Sequence, residues 1–432
     1  MINVGIIGFG TVGTGTASIL LNNRDILRER TGIDINLRRI ADLDIKRDRG
    51  IKLPKGILTA KTEELLDDPD IHIVVELIGG TTVAKDVILK AISKGKHVVT
   101  ANKALLATHG AEIFRAAGKQ KVELGFEASV AGGIPIVKVI REGLVANRIR
   151  AVYGIINGTT NYILTKMTEE KAEFSEVLKE AQKLGYAEAD PTYDIEGIDS
   201  AHKLAILASL SYGPRFSIKD VYREGISWIS PMDIEFAREL GYKLKLLAIA
   251  KESDGKVELR VHPTMVPEEY LISKVDGVYN AVYVEGDAVG STLYYGRGAG
   301  DMPTGSAVVS DIADIARNIV TNSVGRISLD PSRKGKSLMK MDDVQSMYYF
   351  RFSAIDKPGV LSKISGILGK YNISIVSVIQ KGRHEGKAVP LVVLTHRAKE
   401  KNVLAALKEI NRLSIVAGKS VFIRVEGKEG DR

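Results

Sequence analysis

Along its first 125 residues the chain repeats one pattern, a short continuously apolar run followed by a longer stretch with helical spacing. The runs Asn3–Ile7, Leu37–Ala41, Ile73–Leu77, His97–Thr100 and Val122–Gly125 predict strands. The stretches Val12–Leu27, Thr62–Leu66, Val83–Lys94 and Leu105–Ala117 predict helices between them. Strands that are apolar throughout, with no polar alternation, belong in a sheet covered on both faces. Alternating with helices, they predict a doubly wound, parallel, Rossmann-type α/β domain over residues 1–126.

From Glu127 to about residue 327 the pattern loosens. Strand-like Ile149–Ile156, Val257–Val266 and Val278–Glu285 mix with helical Phe174–Leu184, Ser200–Leu210 and Ser306–Asn318. This reads as an α+β substrate and dimerisation domain, whose last helix is a candidate to pack back on the first domain. Residues 328–345 are polar, with Asp330, Pro331, Arg333, Lys334 and Lys336, and read as a linker. The remainder, 346–427, runs strand (Met347–Ala354), helix (to Tyr371), strand (Ile373–Val378), strand (Ala388–Thr395), helix (Lys399–Ile410), strand (Ser420–Val425). That order is a ferredoxin-like plan.

Composition narrows the function classes. A length of 432 residues exceeds one ordinary core, and 44% hydrophobic with 26% charged residues is the balance of a water-soluble globular chain. No apolar run is long enough to span a bilayer, and Met1–Ile7 runs into a glycine turn and not a cleavable leader, so a cytoplasmic protein is expected. The absence of cysteine removes disulfides, thiolate metal sites and a cysteine nucleophile. The net charge of +8 is concentrated in residues 346–432, which hold 16 Lys/Arg against 7 Asp/Glu. Without a basic stripe interleaved with aromatics, this is a solvated surface and not a nucleic-acid site.

The first strand leads into GFGTVG, with Gly8, Gly10 and Gly13 in the spacing G-x-G-x-x-G and Thr11 and Val12 opening the helix. A tight turn, close backbone approach and a helix N-terminus suit a dinucleotide pyrophosphate. NAD and NADP both remain open. Asp42 or Asp44 at the end of the second strand can bind a ribose hydroxyl, whereas Lys46, Arg47 and Arg49 can neutralise a 2′-phosphate. Farther on, Thr159, Thr160 and Asn161 follow Gly158 in a polar turn before a helix, offering donors to a carboxylate or a carbonyl oxygen.

GFGTVG, ELIGG (Glu76–Gly80), VVTANKALLA (Val98–Ala107), EASVAGGIPI (Glu127–Ile136), INGTTNYIL (Ile156–Leu164), GYAEADPTYDIEGIDSAHKLAIL (Gly185–Leu207) and GRGAGDMPTGSAVVSDI (Gly296–Ile312) together span most of the chain. In this combination and order the chain resembles homoserine dehydrogenases that carry a C-terminal ACT domain. The resemblance implies reversible NAD(P)H-dependent reduction of L-aspartate 4-semialdehyde to L-homoserine, a step toward threonine, methionine and isoleucine. Lys203 suits the proton donor, with Asp199 four residues earlier on the same helical face to orient it. The resemblance makes Lys103 a second active-site lysine that contacts cofactor or substrate. It makes Glu188, Asp199, Asp194 and Thr159 substrate contacts, while Asp190, before Pro191, shapes the turn. Gly185 and Gly300, the latter in a late glycine loop with Gly298, are expected at the cofactor. A monovalent cation, Na⁺, is expected on Glu127 and the main-chain carbonyls of Val130, Gly132 and Ile134. No histidine cluster suggests zinc, and His202 reads as packing.

DKPGVLSKISGILGKYNISIVSV (Asp356–Val378) resembles an ACT domain. Pro358 and Gly359 would open its first helix, where free N–H groups suit an amino acid's carboxylate. An effector, threonine by resemblance, is expected at Pro358, Gly359, Val360, Leu361 and Asn372, in a homodimer or homotetramer. The alternative of a different class is an amino-acid sensor with an inactive reductase shell; retention of Lys103, Asp199 and Lys203 argues against it. A rival reductase, an aspartate dehydrogenase relative, would lack the Gly185–Leu207 block and the ACT module.

Overall fold

All five apolar runs of the N-terminal third form strands: β1 (Ile2–Ile7), β2 (Ile35–Ala41), β4 (Ile73–Glu76), β5 (His97–Thr100) and β6 (Leu124–Gly125). A short β3 (Leu58–Thr59), not anticipated, joins them. The sheet is parallel throughout, in the order β3-β2-β1-β4-β5-β6. The chain winds outward from β1 to β3 and then restarts on the other side at β4, so the order reverses between β1 and β4. A crevice opens at the carboxyl ends of strands at such a reversal. The predicted long helix Val12–Leu27 is two, Thr11–Asn22 and Arg24–Thr31, because Asn23 leaves helical dihedrals and the second piece buries no residue.

The computed structural model describes residues 1–213, 216–325, 335–381 and 387–427, so 328–334 of the expected linker lie outside the described residues. The chain divides into two compact units. The first joins Met1–Gly158 to Asp199–Val221 and Val278–Lys336; the second joins Thr159–Ile198 to Tyr222–Gly277 and Ser337–Arg432.

In the first unit, the last long helix, Asp301–Val320, does return to the nucleotide-binding sheet. Its Val308, Ile312 and Ile315 share one core with Val4, Ile6, Ile73 and Val75. Its start crosses the first helix so closely that a Cβ on Gly15 would lie 2.3 Å from Asp301 O. Beside this lies a small antiparallel sheet, Ile149–Ile155 with Tyr279–Gly286 and Tyr279–Gly286 with Gly290–Arg297.

The second unit is built on the hairpin Tyr242–Ser253 and Lys256–Pro267. The C-terminal segment follows the expected β-α-β-β-α-β order: Gln345–Ile355, helix Val360–Lys370, Ile375–Gln380, Ala388–Thr395, helix Glu400–Ile410 and Val421–Val425. Period-two alternation along Gln345–Ile355 sends Tyr348, Phe350 and Phe352 into a core with Ile364, Leu368, Val403 and Leu407. Each such burial contributes about 1.5–3 kcal/mol before ordering costs. The opposite face of the strand is also covered. There Arg351 donates to both oxygens of the buried Asp233 at 2.6 and 2.9 Å, and Tyr349 Oη donates to Asp233 at 3.2 Å.

Val421–Val425 pairs in parallel with Lys256–Pro267, through Thr264↔Arg424 and Met265↔Val425. The C-terminal sheet therefore extends the hairpin as one hydrogen-bonded surface. Where they join, two fully buried guanidiniums sit among carboxylates: Arg260 with Glu258 and Glu426, and Arg424 with Glu400 and Glu224. Among the described residues no helix is long and apolar enough to cross a membrane.

Candidate active site

The glycine loop lies between β1 and the helix Thr11–Asn22, at the sheet's reversal point. Gly8 has φ 100°, and a Cβ there would lie 2.5 Å from Leu77 O; one on Gly13 would lie 2.2 Å from Gly8 O. Around Gly10, by contrast, there is open space. The loop is thus packed at its two ends and free in the middle, beside a helix N-terminus, which fits a pyrophosphate. Its neighbours are tied down. Glu76, buried, accepts from Ile78 N at 2.8 Å and Thr100 Oγ1 at 2.7 Å.

At the end of β2, Asp42 Oδ2 accepts from Phe9 N at 2.5 Å, while Oδ1 accepts from Asp44 N at 2.8 Å and Arg49 at 3.1 Å. Arg49 also lies over the Phe9 ring, 4.8 Å from its centroid. Both oxygens of the acid are therefore engaged within the protein, and Lys46 and Arg47 beside it are exposed.

The helix Ile198–Tyr212 carries Asp199 and Lys203 one turn apart. Lys203 Nζ donates to Asp199 Oδ2 at 2.7 Å and to Ile156 O at 2.6 Å, the latter at the end of the strand Ile149–Ile155. Lys103, the first residue of the helix Lys103–Gln120, meets the other oxygen, Oδ1, at 3.1 Å. Asn157 Nδ2 adds a hydrogen bond to Oδ2 at 2.9 Å. One buried carboxylate thus holds two ammonium groups of different exposure, 11% for the Lys203 side chain and 35% for Lys103. Burial alone would raise the Asp199 pKa; the charges of Lys203 and Lys103 and the hydrogen bonds from Lys203 and Asn157 instead hold it well below the usual carboxylate range.

Residues 8–127 match the family profile "Homoserine dehydrogenase, NAD binding domain", 135–313 match "Homoserine dehydrogenase", and 348–414 match "ACT domain". A homoserine dehydrogenase of Neisseria gonorrhoeae is 47% identical over 429 residues, 98% of each chain. The chain belongs to the homoserine dehydrogenase family. The crystal structure of a homoserine dehydrogenase from Thiobacillus denitrificans superposes with a TM-score of 0.93 at 48% identity, covering 98% of both chains. A hyperthermophilic archaeal homoserine dehydrogenase in complex with NADPH superposes at 0.61 with 28% identity, over 73% of this chain and 97% of that one. The homoserine dehydrogenase assignment makes this chain an oxidoreductase with a nicotinamide-dinucleotide domain and a C-terminal ACT domain.

Of the residues expected in this homoserine dehydrogenase's site, Lys103, Asp199 and Lys203 converge in the first unit. Gly8, Gly10, Thr11, Val12, Gly13 and Gly300 also belong to that unit, Gly300 as the N-cap of the helix Asp301–Val320 with φ 124°. Thr159, Gly185, Glu188 and Asp194 belong to the second. Thr159 to Asn161 lie within the first turn of the helix Gly158–Glu170 and not in a turn before it. The Thr159 hydroxyl donates to Tyr186 O at 2.7 Å, fastening the GYAEADP segment to that helix, while Glu188 is exposed. Asp190 accepts from Thr192 N at 3.1 Å and shapes the turn as expected.

Glu127 is buried, its two oxygens accepting from Val137 N and Lys138 N at 2.8 Å each. Burial and the charge of Asp311 push its carboxyl up to about 7. Between Val130 and Ile134 the backbone turns through Ala131 and Gly132 at φ 55° and 52°. Sequence reasoning missed Asn157 and the Ile156 carbonyl, although both lie in the INGTTN segment it singled out; a main-chain acceptor leaves no side-chain signal. In the ACT module, Gly359 is the left-handed N-cap (φ 86°) of a helix that starts at Val360, so Pro358 lies before the helix and not in it.

Proposed function

We propose that this homoserine dehydrogenase interconverts L-homoserine and L-aspartate 4-semialdehyde with Lys203 as the proton-transferring group, Lys103 as a second active-site lysine, and Asp199 as the positioning carboxylate. The observation that carries this is the pair of ammonium groups on opposite oxygens of one buried, ionised carboxylate. A dinucleotide held by its pyrophosphate at the glycine loop would supply or take the hydride. The chain's own part is the proton. In reduction the Lys203 ammonium donates to the carbonyl oxygen, and in oxidation the neutral amine takes the hydroxyl proton. Asp199 and Ile156 O hold the Lys203 Nζ in place, so little is lost to its orientation during the step. Glu188 and Asp194 supply the carboxylates a substrate ammonium requires, and Thr159 a polar contact for its other end. Gly185 and Gly300 let the backbone come close to the cofactor. The assay is oxidation of L-homoserine by the purified chain with NAD⁺ and with NADP⁺; no turnover with either would remove the proposal.

NADP is the cofactor this reading favours, because both oxygens of Asp42 are already bonded within the protein and the rim beside it is cationic. Arg49→Ala should lower kcat/KM for NADP⁺ by about 10–100-fold, the loss of one charge-assisted hydrogen bond. It should leave the value for NAD⁺ near wild type, since both oxygens of Asp42 keep their bonds to Phe9 N and Asp44 N. A parallel loss with both cofactors would assign Arg49 to loop stability alone.

The all-oxygen donor set of Glu127 with the carbonyls of Val130, Gly132 and Ile134 fits a hard monovalent cation such as Na⁺, which would offset the cost of burying Glu127 beside Asp311. At equal ionic strength, NaCl should raise the melting temperature relative to tetramethylammonium chloride, and Glu127→Gln should abolish the difference. Equal melting temperatures for the wild type would reject the site.

The ACT module is read as regulatory, taking an amino acid such as threonine at Pro358, Gly359, Val360, Leu361 and Asn372. Feedback on a step toward threonine, methionine and isoleucine follows from that reading, and a biosynthetic role of this kind supports a cytoplasmic location. The edge strand Ile375–Gln380, with Val376 and Val378 exposed, supports assembly as a homodimer or homotetramer.

A further inference from the structure

The second unit contains a cleft of about 370 Å³ lined by Glu224, Trp228, Lys419, Ser420, Val421 and Phe422. That volume is within the roughly 300–1,000 Å³ of small-molecule sites. One wall is the turn that follows Tyr222–Arg223; the other is the start of the last ACT strand, Val421–Val425.

Three observations define what the cleft would hold. The first is charge. Among the described residues Arg424 is the only guanidinium bonded to Glu400 and Glu224, so one positive charge serves two carboxylates. Glu400 is fully buried, and its Oε2 takes the Tyr348 hydroxyl at 2.6 Å. Glu224 reaches solvent, with 23% of its side chain exposed. Arg424 at 3.0 Å and the Tyr222 hydroxyl both donate to Glu224 Oε1, whereas Oε2 has no partner among the described residues. The uncompensated negative charge of the pair therefore faces the cleft.

The second observation is a positive charge in the same lining. Lys419 is exposed and makes no ion pair among the described residues. The third is apolar surface. Trp228, the only tryptophan in the chain, leaves 41% of its surface exposed, and Phe422 and Val421 are half-buried beside it. Ser420 fixes the strand start, since its N–H and hydroxyl both donate to Asn411 Oδ1, at 3.1 and 2.5 Å.

We propose that this cleft binds a free α-amino acid with an apolar side chain, its ammonium on Glu224, its carboxylate on Lys419 and its side chain against Trp228 and Phe422. This site is separate from the effector loop at residues 358–361 and does not rest on the reading of that loop. It has a direct line to the substrate segment. Glu224 precedes Gly225 and Ile226, Ile226 N donates to Ile195 O at 2.9 Å, and a Cβ on Gly225 would lie 2.6 Å from that same oxygen. Ile195 ends the short helix that carries Asp194. Occupancy of the cleft bears on the placement of Asp194, proposed above for the substrate ammonium.

Because Trp228 is the sole tryptophan, its fluorescence reads the cleft directly in the full-length protein. Titration with L-leucine should give a saturable change in wild type. N-acetyl-L-leucine, which lacks the ammonium, and 3-methylbutylamine, which lacks the carboxylate, should give none. Glu224→Gln and Lys419→Met should each weaken the response by about tenfold or more, as removal of a charged partner does. Lys419 is an exposed side chain, so that variant tests the site without threatening the fold. Asn372→Ala should leave the response unchanged. No saturable change in wild type, a change that survives both cleft variants, or one abolished by Asn372→Ala overturns the proposal.

Discussion

Lys203→Met should lower kcat for homoserine oxidation by about 10²–10⁴-fold, the usual contribution of a positioned acid–base group. The dinucleotide KM should stay near wild type, since the glycine loop and Asp42 do not touch this lysine. The side chain is 11% exposed and is fixed by Asp199 at 2.7 Å and Ile156 O at 2.6 Å, so methionine keeps the apolar stem while removing the ammonium that carries the proton, and Asp199 keeps Lys103 and Asn157 as partners. Lys103→Met should cost less in kcat and more in substrate KM, because Lys103 is more exposed and makes its ion pair at 3.1 Å. A larger kcat loss for Lys103 than for Lys203 would exchange their roles. Asp199→Asn supplies a separate check through pH. Asp199 is ionised across the working range, and its charge stabilises both ammonium groups. With that charge gone, the two lysines repel, deprotonation becomes easier, and the rise of kcat for oxidation should move to lower pH.

The nucleotide-binding sheet was legible because its strands are apolar runs bounded by turns, and burial on both faces writes itself directly into sequence. The crevice followed from the glycines. The helix Asp301–Val320 was legible as a helix, but only tertiary packing of Val308, Ile312 and Ile315 against β1 and β4 places it on the first domain. The strands Tyr242–Ser253 and Gly290–Arg297 went unread. The first mixes Lys243, Lys245 and Lys251 into an apolar run, and the second is glycine- and tyrosine-rich with little burial. In the site, the i,i+4 spacing of Asp199 and Lys203 was readable on one helix. The contact of Lys103 with the same carboxylate joins residues 96 positions apart, and local pattern carries no information about it. The buried cluster of Arg260 and Arg424 was also invisible, since a strand with alternating arginine and glutamate reads as a solvated face.

That cluster should dominate the stability of the second unit. Arg424→Met is expected to destabilise it by about 3–5 kcal/mol, the range for breaking a buried ion pair from one side. The physical reason is the desolvated partner and not the lost attraction. Glu400 is 1% exposed, and without the guanidinium its carboxylate keeps only the Tyr348 hydroxyl among the described residues. Burial opposes the charge on Arg424, yet its carboxylate partners raise its pKa, so the guanidinium stays charged at any working pH. The double variant Arg424→Met with Glu400→Gln should recover much of the loss, because the stranded charge is then absent. Chemical denaturation monitored by far-UV circular dichroism measures both. The consequence reaches beyond stability, because Arg424 sits on the strand that joins the ACT sheet to Lys256–Pro267 and also anchors Glu224 beside the cleft. A single variant that loses less than 1 kcal/mol, or a double variant no better than the single, would show that water enters the cluster and that the two sheets are joined by their backbone pairing alone.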